Sequence, residues 1–291
     1  MDLYILKFII GIIAFIIVAP IVGCLLAGLD RKITAKMQGR VGPPILQPYY
    51  DVRKLIEKDD VSVNNVEGIY ITCALIFTIL GGGMFFAGGN FLLVVFLVTL
   101  SALFFIMAAY CVRSPFSELG AHRETVQVMS YEPMLLFVAV GLYQATGTFN
   151  VNGVFYMHAP IIVAVWGIFI GLLFVLTIKL RKSPFDLSYS HHAHQELVKG
   201  VTTEMSGKTL AKVEVMHWCE SVLFLGWCGM FFVWGPSWTI VVGIVAALVI
   251  WFLEIWIDNN FARVKWQVML KSAWLVALVA GGVNMAILAY L

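Results

Sequence analysis

The sequence predicts an all-α fold: a polytopic membrane bundle of about eight transmembrane helices, with an interfacial amphipathic helix after the first. Three observations carry that expectation. Of the 291 residues, 61% are hydrophobic and only 12% are charged, and the mean hydropathy is +0.91. The apolar residues gather into runs of about twenty with few charges, the length at which a helix crosses a hydrocarbon core. The runs do not alternate apolar and polar residues, as the strands of a membrane barrel do. A soluble globular protein and a barrel are both excluded on these grounds.

The expected spans are 4–28, 67–88, 90–112, 126–147, 159–180, 212–234, 238–258 and 267–290, in one transmembrane domain over 1–291. The first run is too long for a signal peptide. It has only Lys7 ahead of its apolar centre and no small-residue cleavage pattern before Asp30, Arg31 and Lys32, so it reads as a retained helix. Orientation follows from counting. The loops 29–66, 113–125, 181–211 and 259–266, with the helix ends beside them, carry 18 of the 19 Lys and Arg residues. Lys7 alone lies on the other side, where the connections near 88–90 and 234–238 are short and uncharged. The positive-inside rule then predicts cytoplasmic loops and an outside N-terminus.

The two long loops differ in character. Residues 37–60, MQGRVGPPILQPYYDVRKLIEKDD, run through Pro43 and Pro44 into a short predicted helix from about Gln47 to Lys58. Tyr49, Val52, Leu55 and Ile56 share one face of it, which suits the membrane interface. Residues 181–211 hold an SGKT that superficially suggests a phosphate loop. The glycine that such a loop needs five residues before Gly207 is Thr202, so that reading is rejected. His191, His192 and His194 raise the question of a metal, but a solvated or partner-facing loop explains them equally well, and no metal is assigned. The cysteines, Cys24, Cys73, Cys111, Cys219 and Cys228, fall in apolar runs without a CxxC pair and read as small buried hydrophobes.

Acidic residues inside or beside the spans carry the chemistry: Glu132, Glu214, Glu220, Glu254 and Asp258. A charge at bilayer depth costs several kcal/mol, so such a group is functional by default. Glu214, His217 and Glu220 are three apart and make one strip of a helix, and Glu254 and Asp258 are stacked four apart. The bland alternative for each acid is a helix-end carboxylate paired with a base. That alternative weakens for the group, because the acids accumulate toward one face. A di-iron site needs a second ExxH helix, and no membrane run supplies one. Two carboxylates about 10 Å apart at an effective dielectric near 20 interact by roughly 1.7 kcal/mol, more than one pKa unit. Charging one therefore biases its neighbour, and a row can relay a charge change. No lysine lies in the middle of any span, which reads as a coupler rather than a pumping channel.

At these residues a family becomes recognisable. DRKITAKMQGRVGPPILQPYYDVRKL (30–55) resembles the first cytoplasmic loop of the membrane subunit shared by respiratory complex I and energy-converting hydrogenases. FDLSYSHHAHQELVKGVTTEMSG (185–207) resembles its glutamate-rich loop, with Glu196 and Glu204, and VQVMSYEPMLL (126–136) resembles its fourth-helix signature, with Glu132. The likeness covers essentially the whole chain. One departure concerns the branch. Arg40, Val41, Gly42 and Pro43 lead almost directly to Leu46, Gln47 and Pro48, where quinone-reducing members usually have about six more residues. The short form resembles the ferredoxin-linked [NiFe] hydrogenase and formate hydrogenlyase branch.

The resemblance implies a subunit of the prokaryotic plasma membrane that binds no metal itself. Hydrogenase large and small subunits, with iron–sulfur clusters and a [NiFe] centre, would dock on the cytoplasmic face, fed by ferredoxin, and antiporter-like subunits would lie alongside. Arg40, Asp51, Arg53, Lys54 and Asp186 would belong to the docking platform. Glu196, Glu204, Glu214, His217, Glu220, Glu132, Glu254 and Asp258 would relay charge to drive H⁺ or Na⁺ export. The corresponding subunit of a quinone-reducing NADH dehydrogenase, or of formate hydrogenlyase, is the alternative.

Overall fold

The computed structural model describes residues 2–59, 64–182, 184, 185, 188 and 199–290. Its elements are helices: α1 (Asp2–Met37), α2 (Gln47–Glu57), α3 (Asn65–Phe86), α4 (Phe91–Tyr110), α5 (Pro115–Thr146), α6 (Trp166–Lys179), α7 (Gly207–Met230), α8 (Thr239–Asn260), α9 (Trp266–Val276) and α10 (Val283–Tyr290). A π-helical segment, Ala277–Gly282, joins the last two. The chain is an all-α multi-pass membrane protein. Among the described residues six stretches are long and apolar enough to cross a bilayer: Leu6–Met37, Val66–Phe86, Phe91–Tyr110, Pro115–Thr146, Thr239–Asn260 and Trp266–Tyr290. The fifth and sixth expected spans fall on α6 and α7. At 14 residues α6 reaches about 21 Å. Long enough at 24 residues, α7 is made more polar by Glu214, His217 and Glu220.

Helix boundaries depart from the apolar runs wherever a helix continues past the oil. α1 runs on to Met37, so the first nine residues of the expected loop 29–66 are helical. The segment 113–125, expected as a loop, is mostly the first turns of α5, which starts with Pro115 in the position where a missing N–H costs nothing. α2 forms where its pattern placed it, but its buried residues are Pro48 and Val52, while Tyr49 and Ile56 are exposed. Val52 packs with Cys24, Ala211 and Trp218, wedging α2 against α1 and α7.

α7 packs against α1, α2, α3 and α8. Close approaches are made through glycine: a Cβ on Gly229 would lie 2.9 Å from the Gly243 carbonyl oxygen of α8. Pro133 inside α5 has no N–H to give the Met129 carbonyl, and the Trp274 indole N–H donates to that carbonyl instead, at 3.1 Å. Asn284 serves the start of α6, accepting the Ile168 N–H at 3.4 Å and donating to the Ala164 carbonyl at 3.2 Å. The end of the bundle away from the charged loops is closed by main chain: Phe91 N–H donates to Phe149 and Val151 N–H to Gly89, at 2.8 and 2.9 Å.

Candidate functional site

The loop-bearing end is organised by the last turn of α6 and the residues after it. Lys179, Arg181 and Lys182 each meet carboxylates on different helices. Lys179 Nζ lies 3.2 Å from Glu220 Oε1 on α7 and donates to the Tyr131 hydroxyl of α5 at 3.3 Å. Arg181 Nη2 lies 3.1 Å from Glu124 Oε1 on α5. Lys182 donates to Asp30 on α1 and stands 3.6 Å from Asp258 on α8. The Lys179–Glu220 pair is nearly sealed, at 7% and 9% side-chain exposure. Burial pushes the Lys182 ammonium down, but the Asp30 and Asp258 carboxylates outweigh it and hold its pKa above the ordinary lysine value.

The α7 strip behaves as its spacing predicts. Glu214, His217 and Glu220 all line one cavity of about 810 Å³, shared with Asp30 of α1 and Asp258 of α8. His217 Nδ1 is 3.4 Å from Glu220 Oε2, and its ring meets Phe105 edge-on. Glu220 sits about 20 Å along the helix axis from the start of α7. Asp258 joins this group through Lys182. Glu254, one turn deeper on α8, is fully buried, and neither of its oxygens has a hydrogen-bond partner among the described residues. It is within electrostatic range of Lys182 and Asp258. A buried carboxylate without a donor is costly to ionise.

The remaining expected residues are placed less centrally. Glu132 is half-buried beside Pro133, with no hydrogen bond among the described residues. Glu204 follows the short turn Gly200–Thr202 and interacts electrostatically with the buried Glu67 of α3. Glu196 and Asp186 lie outside the described residues, as do His191, His192 and His194. Among the platform residues, Arg40 and Lys54 are exposed, with Arg40 donating to Gln38. Arg53 pairs with Glu57 at 2.9 Å on the surface. Asp51 turns toward α1: Arg31 donates to it at 2.7 Å and Gln47 at 2.9 Å. Although partial burial raises the Asp51 pKa, those donors more than compensate and hold it below the usual aspartate value.

Sequence reasoning missed half of the network: Asp30, Glu67, Glu124, Lys179, Arg181 and Lys182. It weighed acids in apolar runs and spent the bases on orientation. The available signal was the cluster Lys179, Arg181 and Lys182 at a helix end, facing acids that need counter-charges. Among the described residues no three His, Cys, Asp or Glu side chains are grouped to hold a metal. What the arrangement can do is move charge: three cations face four carboxylates, so displacing one cation changes how the others are shared.

Comparisons with known proteins agree with this architecture. The chain is 27% identical over 283 residues to formate hydrogenlyase subunit 4 of Escherichia coli, covering 86% of this chain and 89% of that one. It is 28% identical over 310 residues to an NADH-quinone oxidoreductase subunit of Rubrobacter xylanophilus, covering 92% and 90%. The fold is shared with a chain in the structure of the membrane-bound sulfane sulfur reductase, an archaeal respiratory membrane complex. The TM-score is 0.85 at 22% identity, over 98% of this chain and 99% of that one. The family model for NADH dehydrogenase matches residues 10–289, and the chain therefore belongs to the NADH dehydrogenase family.

Proposed function

We propose that the chain is the membrane-embedded coupling subunit of a ferredoxin-linked, energy-converting [NiFe] hydrogenase. In this reading hydrogenase large and small subunits sit on the cytoplasmic face and bring the iron–sulfur clusters and the [NiFe] centre. Antiporter-like subunits flank the chain in the bilayer. The observation that carries the reading is the set of carboxylates and cations running inward from one end of the bundle: Glu124, Arg181, Lys179, Glu220 and His217 on one arm, and Asp30, Lys182, Asp258 and Glu254 on the other. Such groups bias one another's protonation over several ångströms of low-dielectric interior. Electron transfer just outside the membrane would shift the balance, and export of H⁺ or Na⁺ would follow. The short link between Pro43 and Leu46 supports the hydrogenase branch.

A second reading, the corresponding subunit of a quinone-reducing complex, is favoured by the 810 Å³ cavity and by the likeness to the NADH-quinone oxidoreductase relative. The purified complex separates the two. Hydrogen evolution from reduced ferredoxin supports the first, and quinone-dependent turnover without hydrogenase activity overturns it. For the relay itself, Glu204→Gln is expected to lower ion translocation while leaving the complex assembled. Wild-type translocation in that variant would remove Glu204 from the row.

A further inference from the structure

Beyond α6 the chain turns a corner that no apolar periodicity announces. Among the described residues Arg181 is the one non-glycine residue with a left-handed backbone, at φ +56°. That conformation brings the Cβ of an L-residue too close to the following carbonyl oxygen and is strained. It is held where three cations point three ways: Lys179 toward α7, Arg181 toward α5, Lys182 toward α1 and α8. A rotation about this single residue would re-aim Lys182 relative to Lys179, since Lys182 follows the corner directly and only Leu180 stands between the corner and Lys179.

The carboxylate that holds Arg181 also holds the neighbouring chain. Glu124 Oε2 accepts from the Ser188 hydroxyl. The Ser188 carbonyl in turn accepts from the Val201 N–H at 3.4 Å. With its amide turned to suit both neighbours, Gln127 donates to Glu124 at 3.3 Å and accepts the Ser188 N–H at 2.8 Å. The approach needs bare backbone on α5: a Cβ on Gly120 would come within 2.3 Å of the Val201 nitrogen. Ser188 and, through it, Val201 are thus held beside Glu124. The Arg181 guanidinium lies over the Phe105 ring, 5.4 Å from its centroid, and Phe105 also meets His217. The pair is 3.1 Å long and the side chains are 11% and 7% exposed.

We propose that the Glu124–Arg181 pair is a latch that sets how the two arms of the buried row are charged. Closed, it holds the strained corner and keeps Lys179 on Glu220 and Lys182 on Asp30 and Asp258. Opened, it lets the corner relax and draws the lysines off their carboxylates, and removing a cation from beside a carboxylate favours proton uptake there. Both residues are positioning residues, acting through Lys179 and Lys182. The inference rests on the coupling reading and names the regulatory element of that same site.

The test uses the whole complex in proteoliposomes, with reduced methyl viologen as electron donor and a voltage-sensitive dye, so that ions moved per electron are read directly. Glu124→Gln removes the charge but keeps hydrogen-bonding atoms for Ser188 and Gln127. Arg181→Gly keeps the left-handed corner, which glycine adopts without strain, and removes the guanidinium. Each is expected to lower the ion-to-electron ratio about fivefold or more, the scale of an ordinary coupling free energy, with partial recovery in Arg181→Lys. A wild-type ratio in Arg181→Gly would mean that only the turn matters, and overturns the latch. Loss of the assembled complex in both variants makes the pair a structural staple and also overturns it. Glu220→Gln run in parallel separates the two levels. If it uncouples while the latch variants do not, the latch alone falls; if all three keep the wild-type ratio, the coupling reading falls with it.

Discussion

The two ends of this bundle solve the same problem by different chemistry. At the end away from the charged loops, helices are joined by backbone: Phe91 to Phe149, Val151 to Gly89, and Gly235 N–H to the Met157 carbonyl at 3.1 Å. The connections 87–90, 147–165 and 231–238 there carry no Asp, Glu, Lys or Arg, and Trp234 and Trp238 are in edge contact with Trp238 exposed, as interfacial tryptophans are. At the other end the helices are joined by charge, and the pairs cross between α1, α5, α6, α7 and α8. Backbone closure is cheap and indifferent to pH or field. Ion pairs in an apolar interior are expensive to desolvate and often no more stabilising than apolar packing. Stability alone would have used the first solution twice, so the asymmetry itself points to function at the charged end.

Removing one partner of a sealed pair breaks that comparison hardest. Lys179→Gln leaves Glu220 buried without its cation, and the expected loss is about 3–5 kcal/mol. It should be read as a fall in the thermal unfolding midpoint of the detergent-solubilised complex. Lys179→Met combined with Glu220→Leu should cost far less than that, because an apolar pair of similar volume replaces both charges. A double variant as unstable as the single one would show that the pair supports the fold, and the two ends would then differ only in style.

Legibility in the sequence divides along the same line. Apolar length and periodicity reported the helices, since every stretch long enough to cross the bilayer had to be continuously hydrophobic. They misreported where helices stop. α1 continues through Arg31, Lys32 and Lys36 and α5 begins at Pro115 ahead of Glu118 and Glu124, because a helix that leaves the oil remains a helix while its polar turns find partners. On α2 Tyr49 and Ile56 face outward, while Pro48 and Val52 do the packing. At the site, Glu214, His217 and Glu220 could be read because three-residue spacing fixes one strip. Their partners could not, because Lys179, Arg181 and Lys182 reach helices more than forty residues away in sequence, and tertiary pairing leaves no local pattern.

A milder change probes a neutral hydrogen bond instead of a charge. Trp274→Phe removes the N–H that serves the Met129 carbonyl left open by Pro133. Losing one partner of an exposed-to-partly-buried neutral hydrogen bond costs about 1 kcal/mol, so a small drop in the same unfolding midpoint is expected. Because Glu132 adjoins Pro133, the variant also tests whether that hydrogen bond positions the half-buried carboxylate. An altered ion-to-electron ratio at unchanged assembly would say that it does.

The smallest effect should come from Asp51, whose pair with Arg31 has side chains more than two-fifths exposed. Exposed pairs contribute roughly 0.2–1 kcal/mol and are screened by salt. Its pKa in the fold lies below the ordinary aspartate value. Whatever it contributes is therefore fully present above the unfolded pKa, near 4, and is lost only as the pH falls through the lower folded value. Asp51→Asn should accordingly shift the unfolding midpoint slightly at neutral pH, less so in high salt, and the shift should fade in strong acid. A large, salt-insensitive loss at neutral pH would show that α2 is pinned to α1 as firmly as α6 is pinned to α7. The charged end would then reach past the buried row into the interfacial helix.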